Sequence, residues 1–332
     1  MAPTRGEHAG VGPLPRLPQR AADTHKGTAG TVAVVGGSCV AGIRMIGAPV
    51  LSALAALRAG AGLVRLVMPR PILDAGLVQC IGATGIELPC GEDGLVEPHD
   101  AAAILDRVLD GCTCLALGPG FGTTPGAIAA TLRAIQQDRK PVVLDADGLN
   151  ALTLIPEFMQ DFHAAAVLTP HPGEFRRLIA ALGLKGDLGL AQSREGACAQ
   201  LAQRLGRVIV LKGAGTVVSD GLRTWTCSAG HPCLATAGTG DVLTGLLAAV
   251  IAQYMMPTDQ QLLRTKFPGL PADPAKPLDL FDAARVAVQA HGRAGEIWAD
   301  QNSAESGLLA LELTALVPRA LEELRVPRDH SS

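Results

Sequence analysis

The segment Ala237-Gly238-Thr239-Gly240-Asp241 sets two glycines and a carboxylate immediately ahead of Val242-Leu243-Thr244-Gly245, the start of an apolar helical run. Glycines let backbone N–H groups approach an anion closely, and a helix N-terminus adds unsatisfied donors and a favourable dipole. Charge developing on a transferring phosphoryl group would be stabilised there. Asp241 stands where a carboxylate could take the proton of a substrate hydroxyl as that oxygen attacks a terminal phosphate. The same residue type also suits a helix N-cap or a first-turn charge, so the sequence leaves the catalytic and capping roles both open. Two other phosphate motifs are absent. No Gly-Lys dipeptide occurs, which rules out GxxxxGK[ST], and Gly36-Gly37-Ser38-Cys39-Val40-Ala41-Gly42 does not fit GxGxxG.

A loop of this kind needs a frame, and the chain supplies repeated units of short apolar strand, Gly- or Pro-containing turn and helical pattern, the signature of parallel βαβ structure. Thr31–Val35 leads into Gly36-Gly37-Ser38, with a helix expected over Pro49–Ala59 and a second strand over Leu63–Met68. Cys114–Leu117 runs into Gly118-Pro119-Gly120-Phe121-Gly122, and Pro141–Leu144 into Asp145-Ala146-Asp147. Ala166–Thr169 meets Pro170-His171-Pro172-Gly173-Glu174, and Val208–Leu211 meets Lys212-Gly213. Five strand ends thus deliver small, polar or charged residues, and open parallel sheets bind ligands at the carboxyl ends of their strands. Helical segments are expected over Asp282–Trp298 and near Leu308–Leu324.

Composition bounds the function. At 332 residues and 48% hydrophobic, one large α/β domain is the expected organisation. A net charge of −3 and 3% aromatic residues argue against a nucleic-acid partner, because neither phosphate tracking nor base stacking is provided for. The eight cysteines show no zinc spacing and read as small buried groups in a reducing compartment. Residues 1–24 lack the apolar core of a secretory signal, and the longest apolar run, Val242–Ile251, is about half of what a membrane-spanning helix needs. A cytoplasmic protein without a membrane partner is therefore expected. The domain is expected over 25–325, with 1–24 a flexible N-terminal segment, 326–332 a tail, and the Pro-rich stretch 257–280 a surface insertion.

Taken together these motifs resemble a known family. Ala237–Asp241 is similar to the anion-hole and base signature of ribokinase-like enzymes. Within that superfamily, His25–Gly27, Val35–Ser38, Gly47-Ala48-Pro49, Gly60–Leu63, Leu117–Gly122, Asp145–Asn150, Leu168–Glu174 and His291–Gly295 resemble the ADP/ATP-dependent NAD(P)H-hydrate dehydratases, over about residues 25–318. The resemblance implies a ribokinase-like three-layer α/β fold, with a central, mainly parallel sheet flanked by helices. It implies that ADP or ATP phosphorylates the hydroxyl of the hydrated nicotinamide ring and that phosphate then leaves. In this scheme Asp241 is the base, Gly238 and Gly240 offer backbone donors to the transferring phosphate, and Mg2+ offsets its charge. Ala48, Gly120 and His171, with Asp241, would contact hydrated NADH or NADPH. Lys212, Gly213, Ala214, Gly215 and Thr216, with Gly240, would hold the nucleotide. Asp147, Asn150 and Glu174 could orient metal-bound water or serve as caps. A homo-oligomer and a separate epimerase are the expected partners, since only about two dozen residues precede His25 where an epimerase domain is sometimes fused. The family commonly carries an aromatic residue between Gly-Gly-Ser and Gly-Ala-Pro, whereas Cys39–Ile46 has none. Two alternatives remain: a small-molecule kinase of the same superfamily acting on a hydroxymethylpyrimidine or thiazole alcohol, and a nucleotide-binding regulator without turnover.

Overall fold

The computed structural model describes residues 11–184, 191–256 and 273–327. Among them, nine strands form one sheet: β1 (Thr31–Val35), β2 (Leu63–Pro69), β3 (Thr84–Leu88), β4 (Cys114–Leu117), β5 (Val142–Leu144), β6 (Ala166–Leu168), β7 (Val208–Leu211), β8 (Val217–Ser219) and β9 (Thr224–Thr226). Their order is β3-β2-β1-β4-β5-β6-β7-β8-β9. The first seven strands run parallel, and β8 and β9 are antiparallel additions at one edge.

Side chains alternate between two cores. Val32 and Val34 of β1 face a cluster formed with α1 (Gly47–Arg58), α2 (Arg70–Gln79), α8 (Thr239–Tyr254), α9 (Leu280–Asn302) and α10 (Ala310–Glu322). Ala33 and Val35 face a second cluster with α3 (Pro98–Asp110), α4 (Pro125–Gln136), α5 (Asp147–Leu152), α6 (Pro172–Ala181) and α7 (Ala191–Leu205). Burial on both faces explains why these strands read as unbroken apolar runs; β4 is buried at every position. The result is the expected three-layer α/β arrangement.

Strand order reverses at β1, which lies between β2 and β4, so the crevice beyond the carboxyl ends of β1 and β4 is the topological switch point. Gly36 follows β1, Gly118 follows β4, Asp145 follows β5, Thr169 follows β6 and Lys212 follows β7, which places all five expected strand ends along one rim.

Two expectations change. The stretch 11–24 does not behave as a loose segment: Leu17 is fully buried, its N–H donates to Leu324 O at 2.9 Å, and Val326 N–H donates back to Leu17 O at 2.9 Å. Arg285 also donates through Nη2 to Gly12 O at 2.7 Å, and Arg325 Nη1 donates to Pro18 O. The apolar Leu17 finds a slot that no local pattern reveals. Of the Pro-rich stretch expected at the surface, residues 257–272 lie outside the described residues. Its end, however, returns to the core, where Leu278 is fully buried and its N–H donates to Tyr254 O at 3.1 Å. Asp279 then caps α9 by accepting from Asp282 N–H at 2.8 Å.

Candidate active site

The anion loop opens α8 in a way that separates the two roles left open for Asp241. The N-cap is Gly238, in the left-handed region at φ +91°, and Asp241 is the third residue of the helix. A Cβ at Gly238 would also stand 2.6 Å from Leu51 Cδ1 and 2.8 Å from Ala310 Cβ, so glycine is required there twice over. The Asp241 carboxylate therefore does not serve as the N-cap, and among the described residues it takes no side-chain hydrogen bond. Burial, then the negative charge of Asp145, pushes its pKa up to about 7; Lys212 partly offsets this, and Asp147 and Glu174 add to it. A carboxylate poised near neutrality beside first-turn N–H donors suits general-base work on a hydroxyl.

The first turn is held from three sides. Ser52 Oγ, buried on α1, donates to Asp241 O at 2.8 Å. Thr239 Oγ1 lies within hydrogen-bond reach of Leu234 O at 2.9 Å and Thr236 O at 3.0 Å. His291 Nε2, on α9, stands 2.8 Å from Thr239 O.

Next to it lies a charged centre that sequence reasoning quoted within a motif without assigning it a role. Asp145, 1% exposed, pairs through Oδ1 with Lys212 Nζ at 2.6 Å. Thr169 Oγ1 donates to the same oxygen at 2.8 Å, and Thr244 Oγ1 donates to Oδ2 at 2.6 Å. Burial raises the Asp145 pKa, but Lys212 and these hydrogen bonds outweigh it and hold the carboxyl below its ordinary value. Lys212 reaches Glu174 Oε2 at 3.9 Å as well. Its ammonium is thus the counter-ion of a buried carboxylate, beyond the nucleotide-holding role implied for it.

Lys212 also begins the wall of a cavity of about 440 Å3. Lys212, Gly213, Ala214, Gly215, Thr216 and Gly240, the whole expected nucleotide set, line this one space, whereas Gly238 is not in its wall. Arg194 of α7 shapes the loop by donating from Nη1 to Ala214 O at 2.6 Å and from Nη2 to Lys212 O at 3.3 Å. The rest of the lining, which includes Ser228 to Pro232, Leu234, Leu243, Val288 and His291, was not foreseen. Only the His291–Gly295 motif hinted at it.

On the switch-point side, a Cβ at Gly120 would stand 3.3 Å from Ala48 Cβ and 3.2 Å from Met45 Cβ, so two of the expected dinucleotide contacts are neighbours. Ser38 and Met45 bridge across a tight excursion, leaving Ile43 and Met45 65% and 44% exposed where an aromatic residue was missed. Met45 Cε would stand 3.7 Å from a Cβ at Gly120, so an apolar thioether lies beside that glycine. His171 has a different place: it caps α6, its Nδ1 accepting from Gly173 N–H at 2.9 Å, while Glu174 Oε2 accepts from His171 N–H at 2.7 Å in a reciprocal box.

The polar groups assigned indirectly to a metal are likewise engaged. Asn150 Oδ1 accepts from Arg177 Nε at 2.9 Å and its Nδ2 donates to Asp147 Oδ1 at 3.2 Å, while Asp147 Oδ2 accepts from Gly122 N–H at 2.8 Å. Among the described residues no group of three His, Cys, Asp or Glu side chains could hold a metal ion.

The family model described as NAD(P)H-hydrate dehydratase matches residues 32–319. A bifunctional NAD(P)H-hydrate repair enzyme of Salinibacter ruber is 35% identical over 92% of this chain and 51% of its own length. Its counterpart in Moorella thermoacetica is 32% identical over 93% of the chain and 52% of its own. The chain spans about half the length of these curated relatives. The ADP/ATP-dependent NAD(P)H-hydrate dehydratase of Bacillus subtilis, co-crystallised with ATP and Mg2+, superposes with a TM-score of 0.69 at 28% identity, covering 93% of this chain and 95% of that one. A ribokinase-like protein of Enterococcus faecalis, at 20% identity and a TM-score of 0.69, covers 94% and 93% of the two chains and shares the fold.

Proposed function

Since the chain belongs to the NAD(P)H-hydrate dehydratase family, we propose that it restores hydrated NADH and NADPH at the expense of ADP or ATP. The observation that carries the reading is Asp241: partly buried, its carboxylate without a hydrogen bond among the described residues, held near a pKa of 7, and one residue from Gly240 in the wall of the cavity that all six nucleotide residues share.

In this reading Asp241 takes the proton of the ring hydroxyl as its oxygen attacks the terminal phosphorus of the nucleotide. A new P–O bond forms, the phosphoanhydride bond breaks, and the shortened nucleotide departs with the electron pair. Phosphate then leaves the ring carbon with its C–O electron pair while the neighbouring carbon gives up a proton, which restores the ring double bond. First-turn N–H groups of α8, that of Gly240 among them, receive charge on the transferring group. Lys212 through Thr216 hold the nucleotide, and Ala48 and Gly120 form the floor for the hydrated ring side. Magnesium bound to the phosphates offsets their charge. All eight cysteines are free thiols, and among the described residues no helix is long and apolar enough to cross a membrane; the cytoplasm is the compartment proposed for this activity.

The test is to incubate purified protein with the S epimer of hydrated NADH, magnesium, and either ADP or ATP. Dihydronicotinamide absorbance should recover only when a nucleotide is present. Equal recovery without nucleotide would remove the phosphorylation step. No recovery, together with phosphorylation of a hydroxymethylpyrimidine or thiazole alcohol, would replace the reading with a kinase.

A further inference from the structure

His291 meets the first turn of α8 through Nε2, 2.8 Å from Thr239 O. A carbonyl oxygen can only accept, so Nε2 carries the hydrogen and donates. Burial pushes the ring's pKa down to about 4, which leaves it neutral at pH 7. A neutral imidazole protonated on Nε2 has a bare lone pair on Nδ1 and can only accept there. Among the described residues no protein group donates to this atom, yet it is not one of the sealed, unpartnered polar atoms, which are Nε of Arg207 and Nε of Arg285. His291 lines the 440 Å3 cavity, so this acceptor is open to whatever fills it.

Its position selects the part of the ligand it faces. Val288, one helical turn earlier on α9, joins Leu234 and Leu243 in an apolar stretch of wall suited to a base. Thr239, whose carbonyl the same ring meets, and Gly240 belong to the helix N-terminus suited to phosphates and line the same cavity. Between a base and its phosphates lies a ribose. We infer that His291 is a nucleotide-recognition residue whose Nδ1 accepts a hydrogen bond from a ribose hydroxyl of ADP or ATP, an inference that rests on the nucleotide role proposed above for this cavity. Because the same ring holds Thr239 O, it ties the sugar to the helix turn that carries Asp241.

Calorimetry on the whole chain tests this with ADP, 2′-deoxy-ADP, 3′-deoxy-ADP and the diphosphate of a purine riboside lacking the exocyclic amine. One of the two deoxy analogues should bind roughly 3- to 10-fold more weakly than ADP, the weight of one neutral hydrogen bond. The amine-free analogue should show no loss that depends on His291. His291→Gln can place an amide N–H where Nε2 stands, keeping the bond to Thr239 O while removing the Nδ1 acceptor. This variant should melt near the parent, bind ADP about as weakly as the parent binds that deoxy analogue, and no longer distinguish the two. Equal binding of all analogues by the parent, or discrimination retained in His291→Gln, overturns the inference and leaves the nucleotide reading standing. Failure of ADP and ATP to bind at all overturns both.

Discussion

Asp241 makes two demands that differ in sign with pH. Its carboxyl ionises near 7 in the folded chain against 3.8 as an ordinary side chain, so ionising it costs the folded state. That cost is absent below the unfolded value, grows as pH rises from there to about 7, and is fully present above. Asp241→Asn removes it, and the variant should gain about 1–3 kcal/mol relative to the parent at pH 8 and little at pH 4. Turnover should nonetheless fall by about 10²- to 10⁴-fold, and kcat/KM of the parent should climb with pH up to about 7 and then level. Thermal melts and a pH-rate profile check both. The Asp145–Lys212 pair behaves oppositely. Asp145 sits below its ordinary pKa, so its contribution is present above the unfolded value and lost as pH falls through the folded one. Lys212 is raised, because the attraction of Asp145 and Glu174 outweighs its burial, so its contribution is lost only as pH rises through that raised value. Across neutral pH the pair is intact. Lys212→Ala strands a carboxylate of 1% exposure and should cost about 3–5 kcal/mol in a urea titration, besides weakening nucleotide binding. A purely nucleotide-holding lysine would leave the stability unchanged.

Among the elements, α8 is buried along nearly its whole length, so propensity alone does not explain it. Its contact with α1 sets where Asp241 stands. A Cβ at Gly245 would lie 1.9 Å from Ser52 O, while Ser52 Oγ donates to Asp241 O, so one close approach and one hydrogen bond fix the helix pair. Gly245→Ala must push the helices apart and should destabilise by about 3 kcal/mol. Turnover should fall in the remaining folded protein as the base shifts. Gly196, inside α7 with nothing within 4 Å of a Cβ, provides the contrast: Gly196→Ala should stabilise by about 0.5–1 kcal/mol without touching activity. Melting temperatures of the two variants, moving in opposite directions, check the argument.

At the scale of the whole molecule, the segments around Leu17 and Arg325 together close one of the two cores. Leu17 is fully buried within the α1, α8, α9 and α10 cluster and is bracketed by backbone bonds to Leu324 and Val326. Arg325 stacks over Tyr254 at 5.9 Å and donates to Pro18 O, so the same clasp reaches the far end of α8. Leu17→Ala should therefore cost about 2–4 kcal/mol, whereas truncation in a loose segment would stay within about 0.5 kcal/mol. Chemical denaturation distinguishes the two. The buried thiols accord with a structural role: burial pushes Cys198 and Cys227 up to about 12, which leaves neither a thiolate near neutral pH.

What the residues determined unaided was local. Apolar runs of four or five residues located β1, β4 and β7 to the residue, and glycine and proline marked the turns that carry Gly36, Gly120 and Lys212, because strand and turn preferences act over a few neighbours. Asp241 and the stretch Lys212 to Thr216 stood out as contiguous segments at a helix start and a strand end, while the nucleotide role expected of the latter came from the family resemblance. The edge strands β3 and β9 were not, since half-exposed positions such as Thr84, Gly85 and Glu87 carry no apolar run. Only the tertiary structure decided that Asp145 answers Lys212 across 67 residues and Thr244 across 99, that Gly238 rather than Asp241 caps α8, and that Leu17 belongs to the core. Each of these depends on which buried groups meet after the chain has closed long loops around them, and a buried charge or leucine takes its partner from whatever packing brings within reach, not from its neighbours in sequence.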